Sequence, residues 1–219
     1  VAPKLIYEEG DLIKRAMRDI FTRDVEEVLV EGDEGYKSAK RLMTMLMPSK
    51  ARIVKPYKED LPLFFRFKVE DQLDAMHSPV VHLPSGGSIV IHTTEALTAV
   101  DVNSGRSTRE RHIDETAVKT NLEAADEIAR QLRLRDLAGL VVIDFIDMGE
   151  GRHQRAVERR LREALKADRA RLQIGKISMF GLLELSRQRL RPSLLELSSQ
   201  MCPICQGLGV IRSTESCAL

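Results

Sequence analysis

Residues 137–148 read LAGLVVIDFIDM, an almost unbroken apolar run that the acidic Asp144 interrupts near its end. Such runs are typical of a strand that is covered on both faces of its sheet. On either side of the run, residues 113–135 and 152–168 carry apolar side chains at helical spacing. This alternation of strand and helix predicts an α/β sandwich around the central strand.

The pattern extends in both directions along the chain. Residues 88–105, SIVIHTTEALTAVDVNSG, predict two strands, and further strands are expected at LQIGKIS and LLELSRQR. The predicted inward stripes of the two helices are Val118, Leu122, Ala125, Ile128 and Leu132, then Ala156, Val157, Leu161 and Leu165. The first part of the chain predicts a smaller α/β unit, with a helix near 12–20, a strand in EVLVEG and a helix at 38–47 that Pro48 ends. We place a boundary near residues 78–81.

The composition is that of a globular protein rather than a membrane-spanning one. The chain has 219 residues, of which 43% are hydrophobic, and no apolar run approaches the length of a transmembrane helix. It starts with neither a signal peptide nor a methionine, so we expect a fragment or a processed chain. Three cysteines without a secretory signal favour a reducing compartment.

The net charge of +1 conceals an asymmetry. Residues 1–36 hold ten acidic and five basic side chains, whereas residues 152–191 hold twelve basic and four acidic ones. A net charge of +8 over the second segment indicates a surface for a polyanion. A solvated arginine-rich helix explains the same pattern, and charge alone does not separate these alternatives.

Two carboxylates mark the carboxyl ends of neighbouring predicted strands. Since side chains of a strand alternate between faces, Asp101 and Asn103 share one face of ALTAVDVNS. Asp144 interrupts an apolar run, which is unfavourable for an ionised group unless it is paired or binds a metal. Together the two acids predict a Mg²⁺ site, because Mg²⁺ takes one or two carboxylates and completes its shell with water and phosphate oxygens.

Structural alternatives accompany this interpretation. Asp144 could pair with a buried arginine, and Asp147, on the opposite face, could cap the following helix. The glycine-rich Ser85–Ser88 segment precedes a strand, whereas a phosphate-binding loop would precede a helix. Near the end of the chain, Cys202 and Cys205 form a Cys-x-x-Cys pair, which is either redox-active or half of a four-ligand zinc site.

Long segments of the chain resemble the catalytic region of the ribonuclease E/G family of bacterial endoribonucleases, from about Leu12 to Gly209. The segments are LPSGGSIVI, TEALTAVDVNSG, DETAVKTNLEAADEIARQLRLRDLAGLVVIDFIDM, RHQRAVERRLREALKADRARLQIGKIS and FGLLELSRQRLRPSLLELSSQMCPICQGLG. The resemblance implies part of a ribonuclease H-like subdomain at 1–77 and a deoxyribonuclease I-like α/β sandwich at 78–198. A zinc link at 199–212 and a tail at 213–219 would follow. On this resemblance, we expect four parts of the family's catalytic region to lie outside this sequence: the OB-type RNA-binding domain, most of the 5′-end sensor, the first part of the ribonuclease H-like subdomain and the small dimerisation domain.

The resemblance also assigns residues. Asp101 and Asp144 match the aspartates that hold the catalytic Mg²⁺, and Asn103 matches an asparagine that supports the metal and the scissile phosphate. Arg171 matches an arginine that helps hold a 5′-monophosphate end. The further basic residues expected to contact RNA are Arg106, Arg109, Lys119 and Arg169. The ERHI segment at 110–113 and His92 depart from the family pattern, so no metal role is carried onto His92.

Cys202 and Cys205 match a zinc link in which two chains each donate one cysteine pair, which predicts a homodimer, and a tetramer in the parent protein. The expected reaction is Mg²⁺-dependent hydrolysis of single-stranded RNA to 5′-phosphate and 3′-hydroxyl ends, in mRNA decay and in rRNA and tRNA processing. We expect a cytoplasmic location, with peripheral attachment of the parent at the inner face of the membrane. RNA-degradation partners would bind elsewhere. The alternative is a non-catalytic RNA-binding or interaction core.

Overall fold

The computed structural model describes residues 12–105, 113–193, 196, 198–200, 202–205, 207 and 209. The chain divides into two compact units, Val1–Leu73 and Asp74–Leu219. This division falls four residues before residue 78, at which the sequence analysis begins the second subdomain.

The first unit is built around a pair of parallel strands. Its elements are α1 (Leu12–Asp19), β1 (Val28–Glu31), α2 (Asp33–Leu46), a 3-10 helix (Pro48–Ile53), β2 (Val54–Tyr57) and α3 (Leu63–Arg66), with α4 (Val69–Ala75) crossing the division. Because β1 and β2 are parallel, a crossover must join them, and α2 lies in that crossover. Buried Ala39, Met43 and Val54 form the centre of its small core.

The second unit contains a mixed six-stranded sheet. Its strands are β3 (Val80–His82), β4 (Ser88–Thr93), β5 (Thr98–Asn103), β6 (Gly139–Asp144), β7 (Leu172–Ile177) and β8 (Leu182–Arg187). Their order across the sheet is β3-β4-β5-β6-β8-β7. Within it β5 and β6 are parallel, and every other neighbouring pair is antiparallel.

Two helices, α5 (Ile113–Leu134) and α6 (Gly151–Ala164), pack together on one face of this sheet. From the sheet, Ile89, Val100 and Ile143 are among the side chains that enter the core. From the helices, Ile128 and Leu161 are fully buried against them. The prediction of a mixed α/β fold is therefore confirmed.

The opposite face of the sheet is open within the described chain, so the prediction that residues 137–148 are covered on both faces is wrong. In β6, Val141 and Ile143 are buried, but Leu140 is 44% exposed and Asp144 is exposed. Burial alternates along β5 in the same way. The physical reason is that both helices pack on the face that carries Val141 and Ile143.

The predicted helices and all six predicted strands are present, with bounds that shift by a few residues. Strands β2 and β3, which are only four and three residues long, were not predicted from the sequence. Of the predicted stripes, Ala125, Ile128 and Leu132 are buried, whereas Val118 and Leu122 are only partly buried. None of the described helices has the length and apolarity that crossing a bilayer requires.

Candidate active site

Asp101 and Asp144 are direct neighbours across two parallel strands. Asp101 in β5 is the register partner of Asp144 in β6. Both side chains lie on the open face of the sheet and both are exposed. Because the strands are parallel, both carboxylates stand at the carboxyl ends of their strands. The pairing that the sequence analysis expected between these two strands is therefore present.

Asn103 forms a hydrogen bond with one of the two carboxylates, that of Asp101. Its Nδ2 donates to Oδ2 of Asp101 at 2.7 Å. The amide thereby orients one oxygen of Asp101, and its own carbonyl oxygen stays available as a hard ligand or an acceptor. Asp101 and Asn103 share a face because they are two residues apart in one strand.

Asp144 forms no ion pair with any side chain in the described part of the chain. The buried arginine alternative therefore has no support: Arg187 bonds to Asp168, and Arg135 donates to Gln131. Two neighbouring carboxylates without a countercharge repel one another, and a divalent cation relieves that repulsion.

The donor set fits Mg²⁺. Two carboxylates and an amide carbonyl are hard oxygen ligands, and Mg²⁺ keeps several waters and needs only one or two carboxylates from the protein. No group of three or more His, Cys, Asp or Glu side chains that could hold a metal occurs among the described residues.

The segment after Asp144 is fixed by a buried amide that the sequence analysis missed. Asn121 in α5 is fully buried, and its side chain forms two hydrogen bonds with the main chain of Ile146. A polar side chain four residues from Ala117 and from Ala125 on the buried side of α5 is the signal that could have revealed it. Asn121 therefore ties the helical layer to the end of β6.

A glycine-rich turn supports the end of β5. A Cβ atom on Gly87 would lie 2.7 Å from the main-chain oxygen of Asn103 and 2.8 Å from Cγ2 of Thr120. Gly105 has φ +61°, and a Cβ there would lie 2.3 Å from the oxygen of Gly86. The Ser85–Ser88 segment therefore packs closely beneath the residue that orients Asp101.

Asp147 does not cap α6, because Glu150 occupies the N-cap position. Instead, Oδ1 of Asp147 lies near the turn between β7 and β8, where a Cβ on Gly181 would be 3.4 Å from it. That turn therefore adjoins the segment that follows Asp144.

Of the predicted RNA-contacting residues, the structure describes Lys119, Arg169 and Arg171. Lys119 is exposed in the helical layer. Arg171 directly precedes β7 at the level of Arg187 and Gly139, which is the opposite end of the sheet from Asp144. Arg169 is exposed near Arg171, and Arg106 and Arg109 lie outside the described residues. Their contact with RNA stays a prediction.

The basic helix α6 is partly neutralised by ion pairs. Arg160 forms a bidentate pair with Asp126 of α5, with its shortest contacts at 2.7 Å. Arg162 pairs with Glu158 at 3.3 Å, and Arg152 pairs with Glu150. Between α5 and α6 lies a cavity of about 590 Å³ that Lys119 and Arg159 help to line. The solvated helix and the polyanion surface therefore both stay open as interpretations of α6.

A buried ion pair anchors the loop that carries Arg169 and Arg171. Nε of Arg187 donates to Oδ2 of Asp168 at 2.8 Å, and the two side chains are only 3% and 2% exposed. Burial by itself raises the pKa of Asp168, but hydrogen bonds from Arg187 and from the Ala170 N–H outweigh it. The pKa of this carboxyl is therefore below its ordinary value, and the group is ionised at neutral pH.

Cys202 is exposed and Cys205 is half-buried, and neither forms a disulfide. The pKa of Cys202 is lowered by hydrogen bonds from the main-chain N–H groups of Cys205 and Ile204 and from the Cys205 side chain. A lowered pKa favours the thiolate, which is the form that binds metal and also the form that reacts. The metal role of these two cysteines stays a prediction.

Comparisons of this chain with a protein-family model and with individual proteins agree on one family. A sequence model described as the Ribonuclease E/G family matches residues 1–190. Ribonuclease E of Haemophilus influenzae is 56% identical over 218 residues, which are 100% of this chain and 23% of that protein. Ribonuclease E of Escherichia coli is 55% identical over 219 residues, 100% of this chain and 21% of that protein. Ribonuclease G of Escherichia coli is 35% identical over 96% of this chain and 43% of its own length. The chain thus spans under a quarter of these two ribonuclease E proteins.

Proposed function

The chain belongs to the ribonuclease E/G family, and on that premise we propose that it carries the catalytic carboxylates of a Mg²⁺-dependent endoribonuclease acting on single-stranded RNA. The family resemblance drawn from the sequence is confirmed. The observation that carries the proposal is the register pairing of Asp101 with Asp144, with Asn103 bonded to Asp101.

Asp101 and Asp144 would hold Mg²⁺, with Asn103 fixing the orientation of Asp101. When bound, Mg²⁺ activates water and offsets negative charge at the scissile phosphate. The oxygen of a water molecule attacks phosphorus, the bond from phosphorus to the 3′ oxygen breaks, and that oxygen takes a proton. The products are a 5′-phosphate and a 3′-hydroxyl.

Single-stranded RNA is the substrate that an open sheet face can accept, because unstacked nucleotides can splay until one phosphate reaches the carboxylates. The predicted contacts from Arg169, Arg171 and Lys119 are to phosphates. Binding that rests on phosphate contacts weakens steeply with salt and carries little sequence information.

Cys202 and Cys205 would bind a structural Zn²⁺ together with the same pair from a second chain. Four thiolates complete a tetrahedral site, and a two-fold axis through the metal needs only two cysteines from each chain. The lowered pKa of Cys202 supports this role.

We extend the proposal to a dimer or tetramer that acts in mRNA decay and in rRNA and tRNA processing, in the cytoplasm or at the inner face of the membrane. Partners would bind outside this region.

The test compares Asp101→Asn and Asp144→Asn with Glu184→Gln in the intact protein. Glu184 is a matched control, since it is an exposed carboxylate in β8 on the same open face, opposite Val142. We expect each Asp→Asn variant to lower the cleavage rate of an RNA oligonucleotide by roughly 100-fold or more, as for loss of a main charge-stabilising group. Glu184→Gln should cleave normally.

Mg²⁺ binding by calorimetry separates the metal role from a structural one. We expect the two aspartate variants to lose Mg²⁺ affinity while they retain the RNA affinity of the unaltered protein. Unchanged cleavage in both variants would refute the assignment. Cleavage by no form of the intact protein would instead favour the non-catalytic RNA-binding core.

A further inference from the structure

The turn between β7 and β8 presents two strongly exposed apolar side chains. Met179 is 91% exposed and Phe180 is 76% exposed. An aromatic ring held in water at the tip of a hairpin contributes almost nothing to the core. Because Met179 and Phe180 are consecutive, they form a small apolar patch that is accessible to a ligand.

This turn lies at the carboxylate end of the sheet. Leu182, the first residue of β8, is the register partner of Asp144, and Phe180 precedes it by two residues. A Cβ atom on Gly181 would lie 3.6 Å from the main-chain oxygen of Phe145, the residue after Asp144. Phe180 therefore stands beside the segment that leaves the proposed metal site.

The turn is ordered by its own hydrogen bonds. The N–H of Phe180 donates to Oγ of Ser178 at 3.2 Å, and the N–H of Gly181 donates to the Ser178 oxygen at 3.1 Å. The N–H of Ser178 donates to the oxygen of Leu182 at 2.8 Å, which closes the hairpin. Gly181 has φ +81°, a conformation that suits glycine.

The helical layer also holds the base of the hairpin. Oε1 of Glu158, a buried residue of α6, accepts a hydrogen bond at 2.9 Å from the N–H of Ile177, the last residue of β7. Arg162 of α6 donates hydrogen bonds to the Glu158 carboxylate and to the main-chain oxygen of Gly175, which also lies in β7. The main chain that carries Phe180 is therefore held in place before any ligand arrives, so a ligand that meets Phe180 need not order the turn.

We propose that Phe180 forms the stacking platform for a nucleobase adjacent to the scissile phosphate. The inference rests on the proposed function, because it takes the scissile phosphate to lie at Asp101 and Asp144. An unstacked base beside that phosphate would expose its faces to water, and an aromatic side chain is the usual replacement partner for a lost stacking neighbour. Stacking on Phe180 therefore selects for single-stranded RNA without selecting one base.

The experiment is a double-mutant cycle in the intact protein: the Phe180 ring and the RNA base are removed separately and together, and kcat/KM is measured each time. RNA oligonucleotides of one sequence carry a single abasic site at each position flanking one cleavage site in turn. In the unaltered protein, the abasic site at the stacked position should lower kcat/KM about tenfold. In Phe180→Ala the same abasic site should have no further effect, because the stacking partner is already absent.

Conservative variants separate stacking from simple burial. Phe180→Tyr should retain the activity and the abasic effect, whereas Phe180→Leu, which is apolar but cannot stack, should lose both about as fully as Phe180→Ala. Met45→Ala, which truncates a 72% exposed apolar residue in the first unit, is the matched control and should change nothing. Thermal midpoints should agree among all these proteins.

A binding measurement tests the same contact without cleavage. In the Asp101→Asn background, an RNA with 5-iodouridine at the stacked position should photocrosslink to the Ser178–Gly181 turn, and Phe180→Leu should abolish the crosslink. The inference is overturned if the abasic effects are equal in Phe180→Ala and the unaltered protein, or if the crosslink maps elsewhere. Loss of cleavage in Asp101→Asn together with either result would refute the stacking role and retain the proposed function.

Discussion

Asn121 in α5 donates a hydrogen bond at 2.8 Å to the main-chain oxygen of Ile146 and accepts one at 3.0 Å from the N–H of the same residue. Its side chain is fully buried, and Ile146 lies two residues beyond Asp144. A side chain in the helical layer thus satisfies both main-chain polar groups of a residue just beyond the end of β6. The sheet places Asp144 through its pairing with Asp101 and Leu182, and the Asn121 contact anchors the segment that leaves it.

We predict that Asn121→Leu destabilises the protein and impairs the site. Two main-chain groups of Ile146 would lose their partner, and each buried unsatisfied group costs about 1–3 kcal/mol. The free energy of unfolding should fall by about 3 kcal/mol in urea titrations. Mg²⁺ affinity should fall as well, because the segment that follows Asp144 would lose its anchor to α5.

Thr120→Val is the control for that substitution. Thr120 is also fully buried in α5, and its Oγ1 has no hydrogen-bond partner among the residues described. Replacing it with an apolar group of the same shape should be neutral or slightly stabilising. An equal loss of stability in Thr120→Val and Asn121→Leu would contradict the role assigned to the Asn121 hydrogen bonds.

The close approach of Gly87 to Asn103 predicts a second sensitive position. In Gly87→Ala the new methyl group would meet the Asn103 oxygen at 2.7 Å and Thr120 Cγ2 at 2.8 Å, so the main chain must move. Overpacking of this kind costs about 1–3 kcal/mol. Because Asn103 orients Asp101, we expect a loss of cleavage that exceeds the loss of folded protein at the assay temperature.

Gly149→Ala provides the comparison, since a Cβ at Gly149 meets nothing within 4 Å among the described atoms. Its activity and thermal midpoint should stay close to those of the unaltered protein. Normal activity and stability in Gly87→Ala would show that the turn can move aside and does not support the active site.

The buried pair of Asp168 and Arg187 predicts a specific pH dependence of stability. The pKa of Asp168 is lower in the folded chain than its ordinary value, so the ionised carboxyl stabilises the fold. This contribution is complete above the unfolded pKa of about 3.9 and is lost as the pH falls through the lower folded value. Asp168→Asn should therefore lower the free energy of unfolding by about 3 kcal/mol at pH 7. The difference should shrink below about pH 4.

Asp126→Asn tests whether burial of the ion pair is the reason for the large stability loss expected in Asp168→Asn. Asp126 also forms a bidentate pair, with Arg160, but those side chains are 43% and 52% exposed. Exposed pairs contribute less than about 1 kcal/mol, so this variant should be nearly as stable as the unaltered protein at pH 7. Urea unfolding from pH 7 to pH 3 compares the three proteins. A difference for Asp168→Asn that grows as the pH falls would contradict the assignment.

The zinc proposal predicts a shared metal. Metal analysis and native mass spectrometry should find one zinc for every two chains, and a chelator should release the metal and separate the chains. Cys202→Ser and Cys205→Ser should each have the same effect as the chelator. Cys217→Ser, to which we assign no role, should retain both zinc and the dimer. A metal-free dimer would refute the shared site.

Much of the second unit could be predicted from the sequence because its signals are local. The apolar runs predicted β5 and β6, and the helical stripes predicted α5 and α6. The short strands β2 and β3 could not be predicted, because four and three residues are too few to show a hydrophobic period. The open face of β6 was also missed, since an apolar run does not show which side its neighbours cover.

Some features of the candidate site could likewise be predicted from local sequence, and others could not. Alternation within β5 placed Asp101 and Asn103 on one face, and this needed no knowledge of the fold. The sequence did not show that Asn121 would reach Ile146, because 25 residues separate them. Nor did it show that Phe180 would stand beside the end of β6.

The sequence by itself determined which residues carry chemistry and which face of each element they occupy, since side-chain periodicity is a property of the local backbone. Only the tertiary structure decided which of these residues meet. It paired Asp101 with Asp144 and separated both from Arg171, because the order of strands in the sheet fixes distances between residues that are remote in sequence.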